Sequence, residues 1–371
     1  MRVLFINSRP DAEQHPGGDN IQMLQTKYAL EKMGVSVLIC SPENISAWPV
    51  CDIAHVFNIQ EPEATWMVFQ VLQDKYIPIV LSPIYWDMYE YWCELAIQSR
   101  ARWRQLSRWM GAGRVKWLYL NWQRIKAPIN SRWKLQRRLL AQAQCVLPNS
   151  KTEGILLEKS FSLGRKFQQR VDVVPNGIDP RYYISKPQPS DWFLQEYGLH
   201  DFVLQVGTIN PVKNQLGLIE SSYQLSVPLV FVGQVLSEYS EYGELCKTRA
   251  HERGNVIFID QIPHEELPGI YALAAVHALP SWRETPGLVS LEAGAAGCRV
   301  VTTSIGSTRD YFGDLVWYCY PSNHNSIRTA VEDALRAIPS PELRDRVLNK
   351  FTWQRAAEET FASYNKILNK N

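Results

Sequence analysis

The hydrophobic pattern consists of short apolar runs separated by longer stretches with helical periodicity. In the first half the runs predict strands at residues 3–6, 35–39, 53–57, 77–81, 145–148 and 171–174. In the second half they predict strands at residues 202–206, 229–232, 256–259, 275–279, 300–303 and 316–319. Strands that alternate with helices form parallel sheets with helices on both faces. The pattern therefore predicts an α/β protein with two doubly wound domains.

A polar, proline-containing stretch over residues 179–197 marks the predicted domain boundary. We expect a first domain over residues 1–180 and a second over 181–350, which suits a chain of 371 residues. The last helix, within 351–371, follows the final strand too distantly to belong to the second core. Ligands of such sheets bind beyond the carboxyl ends of the strands, so two facing domains would hold a ligand in the cleft between them.

Residues 86–138 do not fit the alternation and form a predicted helical insertion in the first domain. Its apolar residues fall on one helical stripe, and these are Met88, Trp92, Leu95, Trp103, Leu106 and Met110. Gly111 to Gly113 break that pattern, and a second helical piece runs to Pro128. Between residues 95 and 152 there is no Asp or Glu but there are 13 Lys and Arg residues. Such a segregated basic block indicates a surface that meets anions.

Three interpretations of the insertion are open. It could lie on an anionic bilayer, as amphipathic helices with Lys, Arg and Trp do. It could bind an acidic glycan or a partner subunit. It could also be a solvated basic surface whose tryptophans fill the core. Nucleic acid fits poorly, because no recognised binding module accompanies the charge.

Composition narrows the class of protein further. No apolar run approaches the roughly 20 residues that span a bilayer, and the N-terminus lacks the features of a signal peptide. The seven cysteines are scattered and never spaced as CxxC, and the seven histidines are equally dispersed. These patterns favour a reducing, cytoplasmic location and argue against a disulfide frame or a metal site, so no metal or other cofactor is expected.

The segment PSWRETPGLVSLEAGAAG at residues 280–297 carries the strongest chemical signal. It is a predicted loop and helix after a buried strand, and a helix N-terminus beside a Gly-containing loop binds anions. Glu284 in the loop and Glu292 about one turn into the helix can accept hydrogen bonds from sugar hydroxyls. By itself this pair of glutamates is weak evidence, because an ordinary strand–loop–helix with two exposed glutamates has the same pattern.

The segment resembles the donor-site signature of the retaining group 1 glycosyltransferases (family 4), which have the GT-B fold. Other segments resemble that family in the expected order, and these are PGGDN (16–20), DIAHVFN (52–58), VLPNS (146–150), VVPNGID (173–179), LQVGTINPVKN (204–214), IPHEELPGIYALA (262–274) and FTWQRAA (351–357). The resemblance covers nearly the whole chain except the insertion. It implies two Rossmann-like domains facing across a cleft, with the C-terminal helix crossing back to the first domain.

The resemblance also implies roles for individual residues. Lys213 would pair with the donor diphosphate as charge develops on it. Glu284 would bind donor-sugar hydroxyls, and Glu292 would bind the ribose. The remaining donor-binding candidates are backbone or small-side-chain positions, namely Gly17, Gly18, Thr208, Gly287, Leu288 and Val289. On the acceptor side the candidates are Asp19, His55, Tyr85 and Asp87.

Two departures from the family pattern bear on these roles. Thr208 occupies the place of an arginine that usually accompanies the lysine of the phosphate loop, and Arg283 or Arg309 are the candidates to replace its charge. The histidine that many members carry after the fourth strand is also missing. Tyr85 and Asp87 lie there instead, and Asp87 is equally a candidate helix N-cap. His55 is more typical of a satisfied strand residue than of a catalyst.

The resemblance implies transfer of a hexose-type sugar, with retention, from a nucleotide diphosphate to a glycan or lipid-linked glycan, as in cell-surface polysaccharide synthesis. The enzyme would act in the cytoplasm or on the inner face of the membrane. The hypothesis is front-face substitution, with domain closure excluding water. The alternatives are a nucleotide-sugar 2-epimerase of the same fold and a non-catalytic sugar-nucleotide-binding or scaffold protein.

Overall fold

A computed structural model describes residues 1–9, 17–42 and 48–369 of the chain. It divides into two compact units: unit 1 contains Met1–Asn176 and Trp353–Asn371, and unit 2 contains Gly177–Thr352. The chain thus enters unit 2 after Asn176 and leaves it before Trp353. Pro16 of the predicted glycine-rich turn, and residues 370 and 371 of the predicted last segment, lie outside the described residues.

Unit 1 is built on a parallel sheet of five strands, as the alternating pattern predicts. The strands are β1 (Arg2–Asn7), β2 (Ser36–Ile39), β3 (Ile53–Phe57), β4 (Ile79–Ser82) and β5 (Cys145–Val146), in the spatial order β2-β1-β3-β4-β5. The helices before and after the insertion are α1 (Gly18–Lys32), α2 (Pro62–Asp74), α6 (Ser131–Gln142), α7 (Lys151–Phe161) and α8 (Arg165–Gln168). β3 is buried along its whole length because strands on both sides and helices on both faces cover it.

The insertion contains three helices before α6, one more than the hydrophobic stripe predicts. These are α3 (Tyr89–Ser99), α4 (Ala101–Met110) and α5 (Ala112–Lys126), which pack on one another. The predicted break near Gly111 is present, with a φ of 86° at that glycine. A further break lies at Arg100, whose φ of −108° and ψ of 118° are extended and separate α3 from α4.

The predicted strand at residues 171–174 is wrong. Val171 forms only an isolated bridge with Val146, although the N–H of Val174 donates to the carbonyl of Pro148 at 3.0 Å. The segment therefore runs beside β5 without extending the sheet. The ladder cannot continue because Pro148 has no N–H to donate, which also ends β5 two residues before the predicted end.

Unit 2 is a second parallel sheet, with six strands. They are β6 (Phe202–Val206), β7 (Leu229–Val232), β8 (Val256–Ile259), β9 (Ala274–Leu279), β10 (Arg299–Thr303) and β11 (Trp317–Cys319), in the spatial order β11-β10-β9-β6-β7-β8. The helices are α9 (Asp191–Tyr197), α10 (Gln215–Ser221), α11 (Ser240–Arg253), α12 (Leu267–Leu273), α13 (Leu288–Ala296), α14 (Thr308–Phe312), α15 (His324–Arg336) and α16 (Glu342–Lys350). β9 and β6 are central, so the loops that follow them lie side by side.

The C-terminal helix, α17 (Trp353–Leu368), belongs to unit 1 and packs on α1. The C-terminal half of α17 contacts Asp172, whose carboxylate accepts hydrogen bonds from Ser363 Oγ at 2.9 Å and from Lys366 Nζ at 2.8 Å. Within the described ranges, none of the helices combines the length and the apolar character that crossing a bilayer requires.

Candidate functional site

Glu284 lies in the loop between β9 and α13, and its position is set by its backbone. The N–H of Ser307 donates to the Glu284 carbonyl at 3.1 Å, and Glu284 forms an isolated parallel bridge with Gly306. Gly306 has a φ of 122°, and a Cβ added there would lie 1.9 Å from the Glu284 carbonyl oxygen. Only glycine allows this approach, so the loop after β10 fixes the loop that carries Glu284.

The carboxylate of Glu284 is paired with the ammonium of Lys213. Lys213 Nζ lies 2.6 Å from Glu284 Oε1, although the two residues are 71 positions apart in the chain. The Glu284 side chain is 7% exposed and that of Lys213 is 29% exposed. A buried carboxylate is therefore paired with a lysine whose side chain is partly exposed, an arrangement that can present a positive charge to an anionic ligand.

The loop after β6, residues 207–214, is fixed to the neighbouring loops by Asn214. Asn214 Nδ2 donates to the carbonyls of Pro280 and Pro321, each at 3.0 Å. Asn214 has a left-handed φ of 59°, and an Asn side chain tolerates this conformation better than most. Sequence reasoning missed this residue, and the only available signal was its place directly after Lys213.

Thr208, the residue in place of the usual arginine, is half-buried in the same loop. Its carbonyl accepts hydrogen bonds from Asn210 Nδ2 at 3.3 Å and Gln215 Nε2 at 3.1 Å. Of the two candidates for the missing charge, Arg309 stacks over the Tyr318 ring at 4.1 Å and pairs with Asp314. Arg283 is half-buried and directly precedes Glu284 in the chain.

The N-terminus of α13 lies against the Glu284 carboxylate. Gly287 is the N-cap of this helix with a φ of 68°, and a Cβ added to it would lie 3.5 Å from Glu284 Oε2. Leu288 and Val289 are the first two helical residues, and N–H groups in the first turn have no acceptor within the helix. The three predicted backbone positions thus supply amide groups beside the Lys213–Glu284 pair, a combination suited to phosphate.

Glu292 lies in the second turn of α13 and contacts two residues of the preceding segment. Its Oε1 is 2.9 Å from His264 Nε2, and its Oε2 accepts a hydrogen bond from Tyr271 Oη at 3.4 Å. Because an ionised carboxylate only accepts, His264 donates from Nε2. The hydrogen bond to Glu292 raises the pKa of His264, and burial raises that of Tyr271. The sequence did not predict the hydrogen bond between His264 and Glu292.

His277 in β9 lies beneath the ion pair and is fully buried. Its Nε2 is 3.2 Å from Ser290 Oγ, while its Nδ1 has no hydrogen-bond partner in the described part of the chain. Burial, with a smaller contribution from the charge of Lys213, lowers the pKa of His277 to about 3. The imidazole is therefore neutral at physiological pH and contributes no positive charge beside Lys213.

In unit 1 the predicted glycine-rich turn leads into α1, with Gly17 as its N-cap. Asp19 is buried there and pairs with Arg9 at 3.0 Å, and its Oδ2 accepts hydrogen bonds from Asn7 Nδ2 and Asn58 Nδ2. A Cβ added to Gly17 would lie 2.6 Å from Arg9 Nη1, so this glycine makes room for the ion pair. Gly18 has no heavy atom within 4 Å of the corresponding position, so its surface is open among the described residues.

The two asparagine motifs of unit 1 meet on α1. Gln22 donates from Nε2 to Asn149 Oδ1 at 3.0 Å, and Gln22 Oε1 accepts from Asn176 Nδ2 at 3.1 Å. Close by, the buried carboxylate of Glu153 accepts the backbone N–H of Tyr85 and that of Asn149, each at 2.6 Å. These contacts join the loops after β4 and β5, and none of them was expected from the sequence.

Two of the acceptor-side candidates belong to the core of unit 1. His55 is buried in β3, with Nδ1 2.7 Å from Tyr364 Oη and Nε2 2.9 Å from Ser82 Oγ, and burial lowers its pKa to about 3. Tyr85 is buried with its ring against Phe161. Neither side chain is available to a substrate, because its surface is covered by packed neighbours. Asp87 is half-buried and lies one residue before Met88, the N-cap of α3, so it does not occupy the N-cap position.

The described residues contain no group of three or more His, Cys, Asp or Glu side chains arranged to hold a metal ion. In unit 2 the polar contacts described here are the Lys213–Glu284 ion pair and the His264–Glu292 hydrogen bond. In unit 1 the ion pair described here is Arg9–Asp19.

Comparison with known proteins agrees with the geometry of unit 2. Residues 191–349 match the family model of the glycosyl transferases group 1. The chain is 25% identical to a D-inositol 3-phosphate glycosyltransferase of Nocardia farcinica over 99% of this chain and 89% of that protein. It is also 28% identical to the O-antigen chain mannosyltransferase B of Escherichia coli, over 46% of this chain and 48% of that protein.

Solved structures share the architecture of the whole chain. Sucrose-phosphate synthase from Thermosynechococcus elongatus superposes with a TM-score of 0.78 at 17% identity, covering 100% of both chains. Anabaena HepE in complex with UDP and glucose superposes with a TM-score of 0.62 at 15% identity, covering 100% of this chain and 99% of that one. The fold is therefore the GT-B fold, with two Rossmann-like domains.

Proposed function

We propose that this chain, a group 1 glycosyltransferase of the GT-B fold, takes a hexose-type sugar from a nucleotide diphosphate and transfers it to an acceptor hydroxyl with retention. The observation that carries the proposal is the Lys213–Glu284 pair beside the N-terminus of α13. Donor groups of this kind bind a diphosphate, and the carboxylate next to them can accept hydrogen bonds from the hydroxyls of the attached sugar.

Each donor-binding residue then has a separate task. Lys213, with the amides of Leu288 and Val289, stabilises the charge that develops on the diphosphate as it departs. Glu284 orients the donor sugar through its hydroxyls, and its burial fixes the position of its oxygens. Glu292 accepts hydrogen bonds from the ribose hydroxyls. Its hydrogen bond with His264 must then be shared with the ribose or broken. Arg283 supplies the charge that Thr208 lacks.

The proposed reaction is a front-face substitution. The bond between the anomeric carbon and the diphosphate oxygen breaks, and the acceptor oxygen bonds to the anomeric carbon on the same face. The acceptor proton passes to the departing diphosphate. The two glutamates are engaged with Lys213 and His264, as expected for binding groups rather than for the acid–base pair of a glycosidase. The products are a glycoside of unchanged anomeric configuration and a nucleoside diphosphate.

The proposed acceptor is a glycan or lipid-linked glycan of cell-surface or extracellular polysaccharide synthesis, handled by unit 1. The similarity to an O-antigen chain mannosyltransferase supports this class of acceptor. Asp87, which is half-buried, stays a candidate on the acceptor side, whereas Asp19 is buried and its carboxylate is engaged by Arg9, Asn7 and Asn58. We place the reaction in the cytoplasm at the inner face of the membrane, without a metal cofactor.

The proposal is tested by incubating the protein with a panel of nucleotide sugars and measuring nucleoside diphosphate release with and without glycan acceptors. We expect release with one donor class, and an anomeric proton signal in the product that matches the donor configuration. Inversion would contradict retention. Interconversion of the nucleotide sugars without an acceptor would indicate an epimerase, and binding without turnover of any donor would indicate a non-catalytic protein.

A further inference from the structure

The insertion exposes an apolar stripe along α5. Leu118, Trp122, Ile125 and Ile129 follow one another at steps of four, three and four, which places them on one helical face that continues into the 3₁₀ turn of Ala127–Ile129. Their exposures are 40%, 46%, 74% and 75%. Single exposed apolar residues are ordinary on a protein surface, but a continuous row of four marks an interaction surface.

A groove lies beside this stripe. It has a volume of about 440 Å³ and lies among α3, α4 and α5. Its lining is mostly aromatic and aliphatic, and includes Trp92, Leu95, Trp103, Tyr119 and Trp122. Because Trp122 belongs to both the groove and the stripe, the two surfaces adjoin. An apolar chain could therefore pass along Trp122 from the stripe into the groove, whose lining also includes Ser99, Arg100 and Gln123.

Positive charge surrounds this apolar surface. Arg102, Arg108 and Arg114 are exposed on α4 and α5, and no Asp or Glu occurs between residues 95 and 152, although Glu90 of α3 pairs with Lys116 of α5. On the same helix the Lys126 ammonium lies 3.7 Å from the centre of the Trp122 ring. Lysine and tryptophan in this relation are typical of the boundary between lipid headgroups and acyl chains, where the ring and the aliphatic stem are buried and the ammonium stays hydrated.

We propose that α4 and α5 form a docking surface for an anionic phospholipid bilayer. The apolar stripe enters the upper acyl region, the exposed arginines contact the phosphates, and the groove accepts part of one lipid chain. Basic and aromatic residues around an apolar stripe match this partner. The basic residues contact lipid phosphates while the apolar residues are buried among acyl chains. The inference rests on the proposed function for the choice of a lipid-linked acceptor, but bilayer binding itself does not require sugar transfer.

The apolar part is tested by sedimentation of the full-length protein with vesicles of 30% phosphatidylglycerol and 70% phosphatidylcholine at low salt. The double variant Ile125→Glu/Ile129→Glu should bind at least roughly tenfold more weakly, since burial of two isoleucines is lost. The control is Ile184→Glu/Ile338→Glu, which changes two isoleucines that are 70% and 90% exposed in unit 2. The control should bind as the unchanged protein does.

The electrostatic part is tested with the triple variant Arg102→Gln/Arg108→Gln/Arg114→Gln in the same assay. Each basic residue near an anionic membrane contributes about 1 kcal/mol, so we expect a loss of roughly 100-fold in the partition coefficient. The matched control removes three exposed charges elsewhere in unit 1, as Lys159→Gln/Arg165→Gln/Lys166→Gln. Equal losses in both triple variants would mean that only total charge matters and would overturn the assignment to α4 and α5.

Two further outcomes would overturn the proposal. The first is failure of the unchanged protein to bind phosphatidylglycerol vesicles at low salt. The second is a dimer in light scattering that Ile125→Glu/Ile129→Glu converts to a monomer, which would identify a second copy as the occupant of the stripe. Donor hydrolysis measured without vesicles separates this test from that of the proposed function, because the stripe variants should keep it.

Discussion

The two units place polar residues at the carboxyl ends of similar parallel sheets but use them differently. In unit 2 the polar residues form the Lys213–Glu284 ion pair and the His264–Glu292 hydrogen bond, and the side chains of Lys213 and His264 are partly exposed. In unit 1 the polar residues are mostly buried amides and carboxylates that bind one another, with Gln22 and Glu153 at their centres. The same architecture thus presents charge to a ligand in one unit and joins loops in the other.

This difference has a consequence for mutagenesis. Removal of the Lys213 ammonium in unit 2 should reduce activity, because it takes positive charge away from the donor site. It should also reduce stability, because the buried Glu284 carboxylate is left without its ion pair. Removal of a buried polar group in unit 1 should reduce stability, because its partners lose hydrogen bonds that water cannot replace. Three substitutions test the contrast.

The largest effect is expected for Lys213→Ala in unit 2. Loss of the ammonium removes charge stabilisation of the departing diphosphate, and kcat should fall by about 100-fold to 1,000-fold, as for loss of an oxyanion donor. The measurement is nucleoside diphosphate release under donor saturation. Lys247→Ala, which removes an exposed lysine paired with Glu244, is the control and should keep full activity. Undiminished turnover in Lys213→Ala would refute the assigned role.

A smaller effect, on stability, is expected for Glu153→Gln in unit 1. The amide can accept only one of the two backbone N–H bonds that the carboxylate accepts, so the free energy of unfolding should fall by about 2 kcal/mol. Denaturant unfolding measures this. Glu158→Gln, on the same helix but not buried, should change little. If donor hydrolysis at low temperature fell while stability was unchanged, the contrast between the units would be wrong.

The smallest effect is a pH dependence of nucleotide binding through His264. Because the hydrogen bond to Glu292 raises its pKa, the pair stabilises the fold fully below about pH 6.5 and less as pH rises through the higher folded pKa. Glu292 is then released for the ribose, so affinity for nucleoside diphosphate should rise with pH. The pair is partly exposed, which limits the change to about fivefold.

Calorimetric titration of His264→Asn between pH 6 and pH 8 checks this dependence. In this variant the affinity for nucleoside diphosphate should depend less on pH, because the contribution of the histidine is removed. His200→Asn, an exposed histidine of unit 2 that lies 2.7 Å from Asp201, should keep the slope of the unchanged protein. If nucleotide affinity depended on pH identically in the unchanged protein, His264→Asn and His200→Asn, the dependence would come from the nucleotide phosphate and not from His264.

Much of this protein was readable from the sequence because the relevant interactions are local. In the described part of the chain, eleven strands form and most are separated by helices, since most apolar runs are long enough to be buried and are bounded by turn residues. The loop and helix around Glu284 and Glu292 are likewise encoded within residues 280–297. The sequence motif identified Lys213 as a candidate site residue, but it did not predict the contact of Lys213 with Glu284.

Only the tertiary structure decided which distant polar groups meet. Gln22 with Asn149 and Asn176, His264 with Glu292, and His55 with Tyr364 are pairs separated by between 28 and 309 residues. A hydrophobic pattern predicts which face of a strand is buried. It does not predict which hydroxyl or amide forms a hydrogen bond with a buried nitrogen. His55 was therefore a candidate in the sequence and is a core residue in the fold, because α17 returns from the far end of the chain to cover it.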